Sequence, residues 1–149
     1  MNIREVPLIL RHYGKTPIYA TKHAAGADLF SANTNDVILL PGERKLIPTG
    51  VCIELPEDSE AQVRPRSGLA LKQGIVVVLG TIDADYQGEI GIILINLGSE
   101  PFIVHRGERL AQLVFNGAGG LYQAQFKQVT AFERKSERGE GGFGHTGID

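Results

Sequence analysis

The chain is poor in the features that usually betray a protein's class. It has a single cysteine, Cys52, in 149 residues, so no intrachain disulfide can form. Flanked by Val51 and Ile53 in a strand-like run, that thiol reads as a small core residue. Charge of either sign is balanced: the formal net charge is −2. That gives no overall pull toward nucleic acid or an anionic membrane, and basic residues matter only where they cluster. Long apolar runs are also missing. The patch before Arg11 and His12 is too short for a secretory core, and nothing later reaches the length of a membrane span. The expectation is a soluble, cytoplasmic protein with no membrane or nucleic-acid partner. His12 and His23 stand alone, with no cysteine or acid at metal-ligand spacing, and read as surface residues. No repeat and no linker with a composition shift interrupts the chain, whose length suits one domain with one core.

What is present is strand and turn. Val6–Leu10 opens as a strand, and Val37–Leu40 stops at the turn dipeptide Pro41-Gly42. Leu46–Pro48 and Gly50–Leu55 follow, closed by Pro56. Ile75–Leu79, Gly98–Val104, Arg109–Phe115 and Tyr122–Phe132 continue the pattern. Turns recur every 8–12 residues or so, the spacing of a β-sandwich or barrel, and no helical stripe exceeds two turns. The chain reads as all-β. The exception is PRSGLALKQG, where Ser67 is a good N-cap and Gly74 a natural stop for a helix of one or two turns.

Four stretches carry chemistry. GTIDADYQGEIGIILIN (80–96) starts as a turn holding Asp83 and Asp85, passes Tyr86, and enters a β-branched run that reads as a strand buried on both faces. The two acids are either turn residues bonding their own backbone or carboxylates held at the mouth of a rigid strand. At the short helix, the free N–H groups, the Ser67 hydroxyl and the Arg66 fork converge as a phosphate site would. Gln112 shares a strand face with Leu110 and Val114, where an amide is ordinarily a satisfied core or interface group. After Phe132 the chain turns polar, and half of residues 138–147 are glycine. Composition calls that a disordered tail, but the lone aromatic Phe143 in a glycine run is unexplained by a tail alone.

Five segments in order, AGADLFSA (25–32), PRSGLA (65–70), GTIDADYQGE (80–89), GERLAQLVF (107–115) and RGEGGFGHTG (138–147), resemble the motifs of the trimeric dUTP diphosphatases (dUTPases). The resemblance runs from about Val6 to Gly147. It implies a distorted jelly-roll β-barrel over 1–132 and a glycine-rich arm over 133–149 that closes on the active site. It implies hydrolysis of dUTP to dUMP and pyrophosphate, which limits uracil incorporation into DNA and supplies dUMP for dTTP synthesis. Asp83 would be the general base on the attacking water, with Asp85 a supporting residue. Arg66, Ser67 and Gly68 would hold the α/β end of the triphosphate, Gln112 the β-phosphate and Arg138 the γ-phosphate. Uracil would sit in a β-hairpin read by main chain around Gly80, Thr81 and Ile82, with Phe143 and Gly144 of the arm above it. Tyr86 would pack under the sugar and refuse a 2′-hydroxyl. Mg²⁺ would ride on the phosphates and water, Asp28 bracing the arginine and meeting the ion only through water. The family assembles as homotrimers sharing sites between subunits: aspartate from one chain, helix from a second, arm from a third. The strand at 122–132 would be lent to a neighbour.

One departure touches base recognition: Val77 stands where some bacterial members carry asparagine, so main-chain groups must do more of the reading. The related dCTP deaminases share the fold but need a glutamate where this chain has Ile93 and an arginine where it has Leu71. A non-catalytic nucleotide-binding jelly roll is the third alternative, and retention of Asp83, Arg66, Gln112, Arg138 and Phe143 together argues against it.

Overall fold

The computed structural model describes residues 1–144 and 147–148; His145 and Thr146 of the last motif, with Asp149, lie outside them. The strands are β1 (Asn2–Leu10), β2 (Gly26–Phe30), β3 (Val37–Leu39), β4 (Arg44–Pro48), β5 (Val51–Ile53) and β6 (Ser59–Pro65) before the helix α1 (Ser67–Gln73), and then β7 (Ile75–Val77), β8 (Gly80–Ile82), β9 (Gly91–Asn96), β10 (Phe102–Val104), β11 (Arg109–Gly117) and β12 (Gly120–Gln128). The all-β expectation holds, with one helix. It folds as a jelly-roll β-barrel.

The largest sheet runs β5-β1-β12-β11-β6-β8, with β2 also against β11; β4-β9-β7 and β3-β10 form two smaller sheets. Along one edge β11 changes partner, from β2 at Arg109–Val114 to β12 at Phe115–Gly117, while β6 holds its other edge. Changing partners in this way lets one long strand belong to both ends of the barrel. Leu8, Leu29, Ile47, Ile92, Leu94 and Phe115 are fully buried between the sheets. Cys52 is buried among them, as expected.

Four expectations need correction. Ser67 is not the N-cap: Arg66 takes that position with extended backbone, and no side chain caps the helix. The Arg66 side chain is drawn away to the Arg109 carbonyl (3.0 Å). Gly74 does end the helix, in the left-handed conformation (φ 71°) that glycine adopts without a Cβ penalty. The run 91–96 is not buried on both faces. Its burial alternates, with Ile92 and Leu94 inward and Ile93 and Ile95 half-exposed, because β9 has strands on either side but no second layer over its outer face. Asp28, which the glycine in AAGAD would place after a turn, lies inside β2. Finally, β7 and β8 are not a paired hairpin: β7 bonds β9 and β8 bonds β6, so the connection through Val78 and Leu79 bridges two sheets and leaves a slot between them. β6, unremarked in the sequence, is the strand that separates the two halves of the chemistry.

Candidate active site

The structure divides the site residues into two groups. At one end of β6 stands the helix group. β11 lies between β2 and β6, which sets Gln112 across from both Asp28 and Arg64. The Gln112 amide donates to the Pro65 carbonyl (3.1 Å). Asp28, only 7% exposed, is bracketed by two guanidinium groups: Arg109 Nη1 at 3.2 Å and Arg66 Nε at 3.6 Å. Arg109 is therefore the closer partner of Asp28. A buried carboxylate needs such pairing, and in return it fixes the direction of the Arg66 fork. Ser67 and Gly68 are exposed, and a Cβ on Gly68 would meet nothing within 4 Å.

The second group surrounds the slot between the sheets, a cleft of about 250 Å³. One wall is β8, which pairs only with β6 and so presents the main-chain groups of Gly80, Thr81 and Ile82 on a free edge. Ile90, Gly91 and Ile93 form the opposite wall, and Tyr86 the floor. The Tyr86 hydroxyl donates to the Glu89 carbonyl (2.6 Å), which locks the ring in place, and burial pushes its pKa up. Asp83 closes the turn by accepting the Tyr86 N–H on its main-chain carbonyl (3.0 Å), which leaves its carboxylate to bond outside the turn.

The arm lies across this slot. Arg138 Nη1 donates to Asp83 Oδ2 at 2.6 Å and to Asp85 Oδ1 at 3.3 Å. Those hydrogen bonds, Asp83 first, raise the already high pKa of the guanidinium. Its charged end also stands 5.4 Å from the Tyr86 ring centre. Gly142 rests on that ring, for a Cβ there would come within 2.9 Å of Tyr86 Cε1. Phe143 sits beside Gly91, whose missing side chain gives it room, and its φ of 43° is unusual for a bulky residue. Gly144 has φ 95°, a conformation that suits glycine.

Asp83 and Arg66 do not meet. Ile82 pairs with Ala61, five positions before Arg66 along β6, and at about 3.3 Å per residue Asp83 and Arg66 are about 20 Å apart. Asp83 and Arg138, expected from different chains, are together in this one. No group of three or more His, Cys, Asp or Glu that could hold a metal ion occurs among the described residues.

A jelly-roll barrel with an apolar slot between sheets, rimmed by a carboxylate, a tyrosine and an arginine, is the build of a small-molecule site. Comparison with known proteins narrows that class. The dUTPase family model matches residues 12–147, and the chain belongs to the dUTPase family. It is 46% identical over 152 residues to the deoxyuridine 5'-triphosphate nucleotidohydrolase of Rickettsia akari, covering 99% of this chain and all of that protein. It is 51% identical to the Rickettsia bellii protein of the same name, over 91% of this chain and 89% of the relative. Among solved structures it is similar to the dUTPase of phage phi11 of S. aureus (TM-score 0.72, 27% identity, 87% of this chain and 99% of that one). It is also similar to a variant Staphylococcus bacteriophage 80alpha dUTPase with dUpNHpp (TM-score 0.70, 30% identity, 96% and 98% covered).

Proposed function

We propose that this chain hydrolyses dUTP to dUMP and pyrophosphate, with Asp83 as general base. What supports the reading, beside family membership, is the 2.6 Å contact between Asp83 and the arm's Arg138 at the rim of the slot. In that contact the guanidinium neutralises the base. A triphosphate carries more negative charge than a carboxylate and is a better bidentate partner for arginine. Arg138 moves to the γ-phosphate, and Asp83 is freed to take the proton of a water attacking the α-phosphorus in line. The water's oxygen joins the α-phosphorus, and the bond to the bridging oxygen breaks. Pyrophosphate leaves with its growing charge met by Arg138, Arg66, Gln112 and the Ser67–Gly68 N–H groups.

Uracil fits the slot edge-on to β8, where Gly80, Thr81 and Ile82 offer donors and acceptors at a free strand edge. Phe143 covers the base and the following Gly144 lets the arm close. Tyr86 lies under the sugar and leaves no room for a 2′-hydroxyl. The helix group supplies one carboxylate, Asp28, already engaged by two arginines, and this donor set suits Mg²⁺ held by phosphates and water rather than by a protein cage. When bound, the ion neutralises phosphate charge.

The separation of about 20 Å supports a site shared between chains of a homotrimer, with a neighbour's helix facing Asp83. Two surfaces favour such an assembly. The helix buries none of its own residues and leaves Leu71 87% exposed, although a helix of its length is marginal without packing. The outer face of β4-β9-β7 carries Leu46, Val76, Ile93 and Ile95 side by side. In this structure β12 pairs with its own β1 and β11. A chain that lent β12 and its arm to a neighbour would make the same contacts there, since swapping exchanges identical elements. The division into a barrel (1–132) and an arm (133–149) belongs to the same reading: no described residue after Phe126 joins the core. Among the described residues no helix is long and apolar enough to cross a membrane, and we place the enzyme in the cytoplasm.

Incubation with dUTP and Mg²⁺, assayed for pyrophosphate and ammonia, tests the reaction. Pyrophosphate without ammonia is expected, and Asp83→Asn should bind dUTP yet lose about 100-fold or more in rate. Ammonia release, or no turnover of any deoxynucleotide, refutes it.

A further inference from the structure

Glu54 follows β5 and is only 9% exposed, yet it forms no ion pair among the described residues. Its Oε2 accepts two hydrogen bonds, from the main-chain N–H of Arg134 (2.9 Å) and from Gln87 Nε2 (3.4 Å). The same Gln87 amide donates to the Arg134 carbonyl (2.5 Å). Arg134's own guanidinium is engaged elsewhere, on the carbonyls of Leu55 (2.7 Å) and Ala84 (3.3 Å). Glu54 is itself fixed to β1 through its N–H to the Pro7 carbonyl (3.0 Å). A buried carboxylate is costly unless its lone pairs are used, and these are used on the root of the arm.

The clasp has a second end. Gln87's main-chain N–H donates to the Gly139 carbonyl (2.7 Å), so one residue of the Asp83–Gln87 turn holds the arm at 134 and again at 139. Between those points Ser136 Oγ donates to the Asp85 carbonyl (2.5 Å) and accepts from the Gly139 N–H (2.9 Å). Arg138 is thereby carried on a short loop tied at both ends. We propose that Glu54 is a positioning residue: through Gln87 and the Arg134 N–H it seats the root of the arm so that Arg138 meets Asp83 and the triphosphate. The proposal rests on the reading of Arg138 as a phosphate ligand, and it adds a carboxylate that acts on the reaction without touching substrate.

The test is a double-mutant cycle in the full-length protein. Glu54→Ala should lower kcat/KM for dUTP on the order of 10- to 100-fold, the cost of a misplaced catalytic group. Glu54→Gln keeps an acceptor oxygen for the Arg134 N–H and should restore most of it. In an Arg138→Ala background, Glu54→Ala should change kcat/KM by less than about twofold, because residues acting as one unit are not additive. Loss by the same factor in both backgrounds would show a general structural role and overturn the proposal. Trypsin reads the clasp independently of activity: cleavage after Lys135 should be faster in Glu54→Ala than in Glu54→Gln, and equal rates overturn it. Should Arg138→Ala hydrolyse dUTP at the unmodified rate, the proposed role of Arg138 fails, and the clasp then stands or falls on trypsin alone. If Glu54→Ala does not fold, Gln87→Met removes the bridging amide, retains the apolar volume, and carries the same two measurements.

Discussion

Gly26→Ala separates activity from stability at a position that touches no proposed ligand. Gly26 lies in β2 opposite Val114, and its backbone is outside the left-handed region, so alanine is tolerated by the main chain. The added Cβ would stand 2.5 Å from Gln112 Oε1, 3.0 Å from Cδ and 3.1 Å from Cβ. The amide end must swing away, which breaks its bond to the Pro65 carbonyl. That bond is exposed, and its loss together with overpacking against Gln112 Cβ costs about 1–3 kcal/mol of stability. The hydrogen bond to a charged phosphate proposed for that amide is worth about 1.5–3 kcal/mol, and its loss is roughly a 10- to 100-fold drop in kcat/KM. Steady-state kinetics with dUTP, beside urea denaturation, measures both. Gln112→Ala should show a similar drop, and the double variant should be no worse than either. An unchanged kcat/KM in Gly26→Ala, with Gln112 shown displaced, would refute a phosphate role for that amide.

Tyr86→Ala removes the ring beneath Gly142 and should raise turnover of UTP relative to dUTP by on the order of tenfold while weakening dUTP; an unchanged ratio clears Tyr86 of sugar selection. A chain ending at Glu137 loses Arg138 and Phe143 but no core residue. Its thermal midpoint should stay put while kcat/KM falls by about 100-fold or more, and a large fall in the midpoint would make the arm structural. His105 bonds Asp36 (Nδ1 to Oδ1, 3.0 Å), and that bond raises its pKa above the usual histidine value. The pair's stabilisation is complete below the unfolded-state pKa and disappears as pH rises through the raised folded value. Titration by NMR should find His105 above the usual histidine value, and Asp36→Asn should bring it down.

The fold was legible because local chemistry and tertiary packing agree. Pro41-Gly42 ends a strand, Gly74 ends the helix, and the alternating run at 109–115 becomes β11. What was hidden depends on partners distant in sequence. Whether the run at 91–96 is buried on one face or two depends on whether a second layer covers it. The serine cap failed because the helix begins at Ser67 itself, so the cap position falls to Arg66, whose guanidinium has no acceptor to offer. Asp83, Tyr86, Arg66 and Arg138 were visible through motif resemblance, not through periodicity or charge. Arg109's hold on Asp28, and the clasp of Glu54, Gln87 and Arg134, join residues far apart in the chain, and no spacing rule reaches that far.

The central claim of the proposed function is that a working site draws Asp83 and Arg66 from different chains, a reading that the separation of about 20 Å along β6 favours. Asp83→Asn chains and Arg66→Ala chains, mixed equally and reassembled at random, measure it most directly. Each parent alone should be nearly inactive. In mixed trimers, verified by native mass, the aspartate donor and the helix donor are independent draws, so about one site in four should recover. Activity that stays at the parental level in confirmed mixed trimers would contradict the account, because it would mean that both residues serve the site from a single chain.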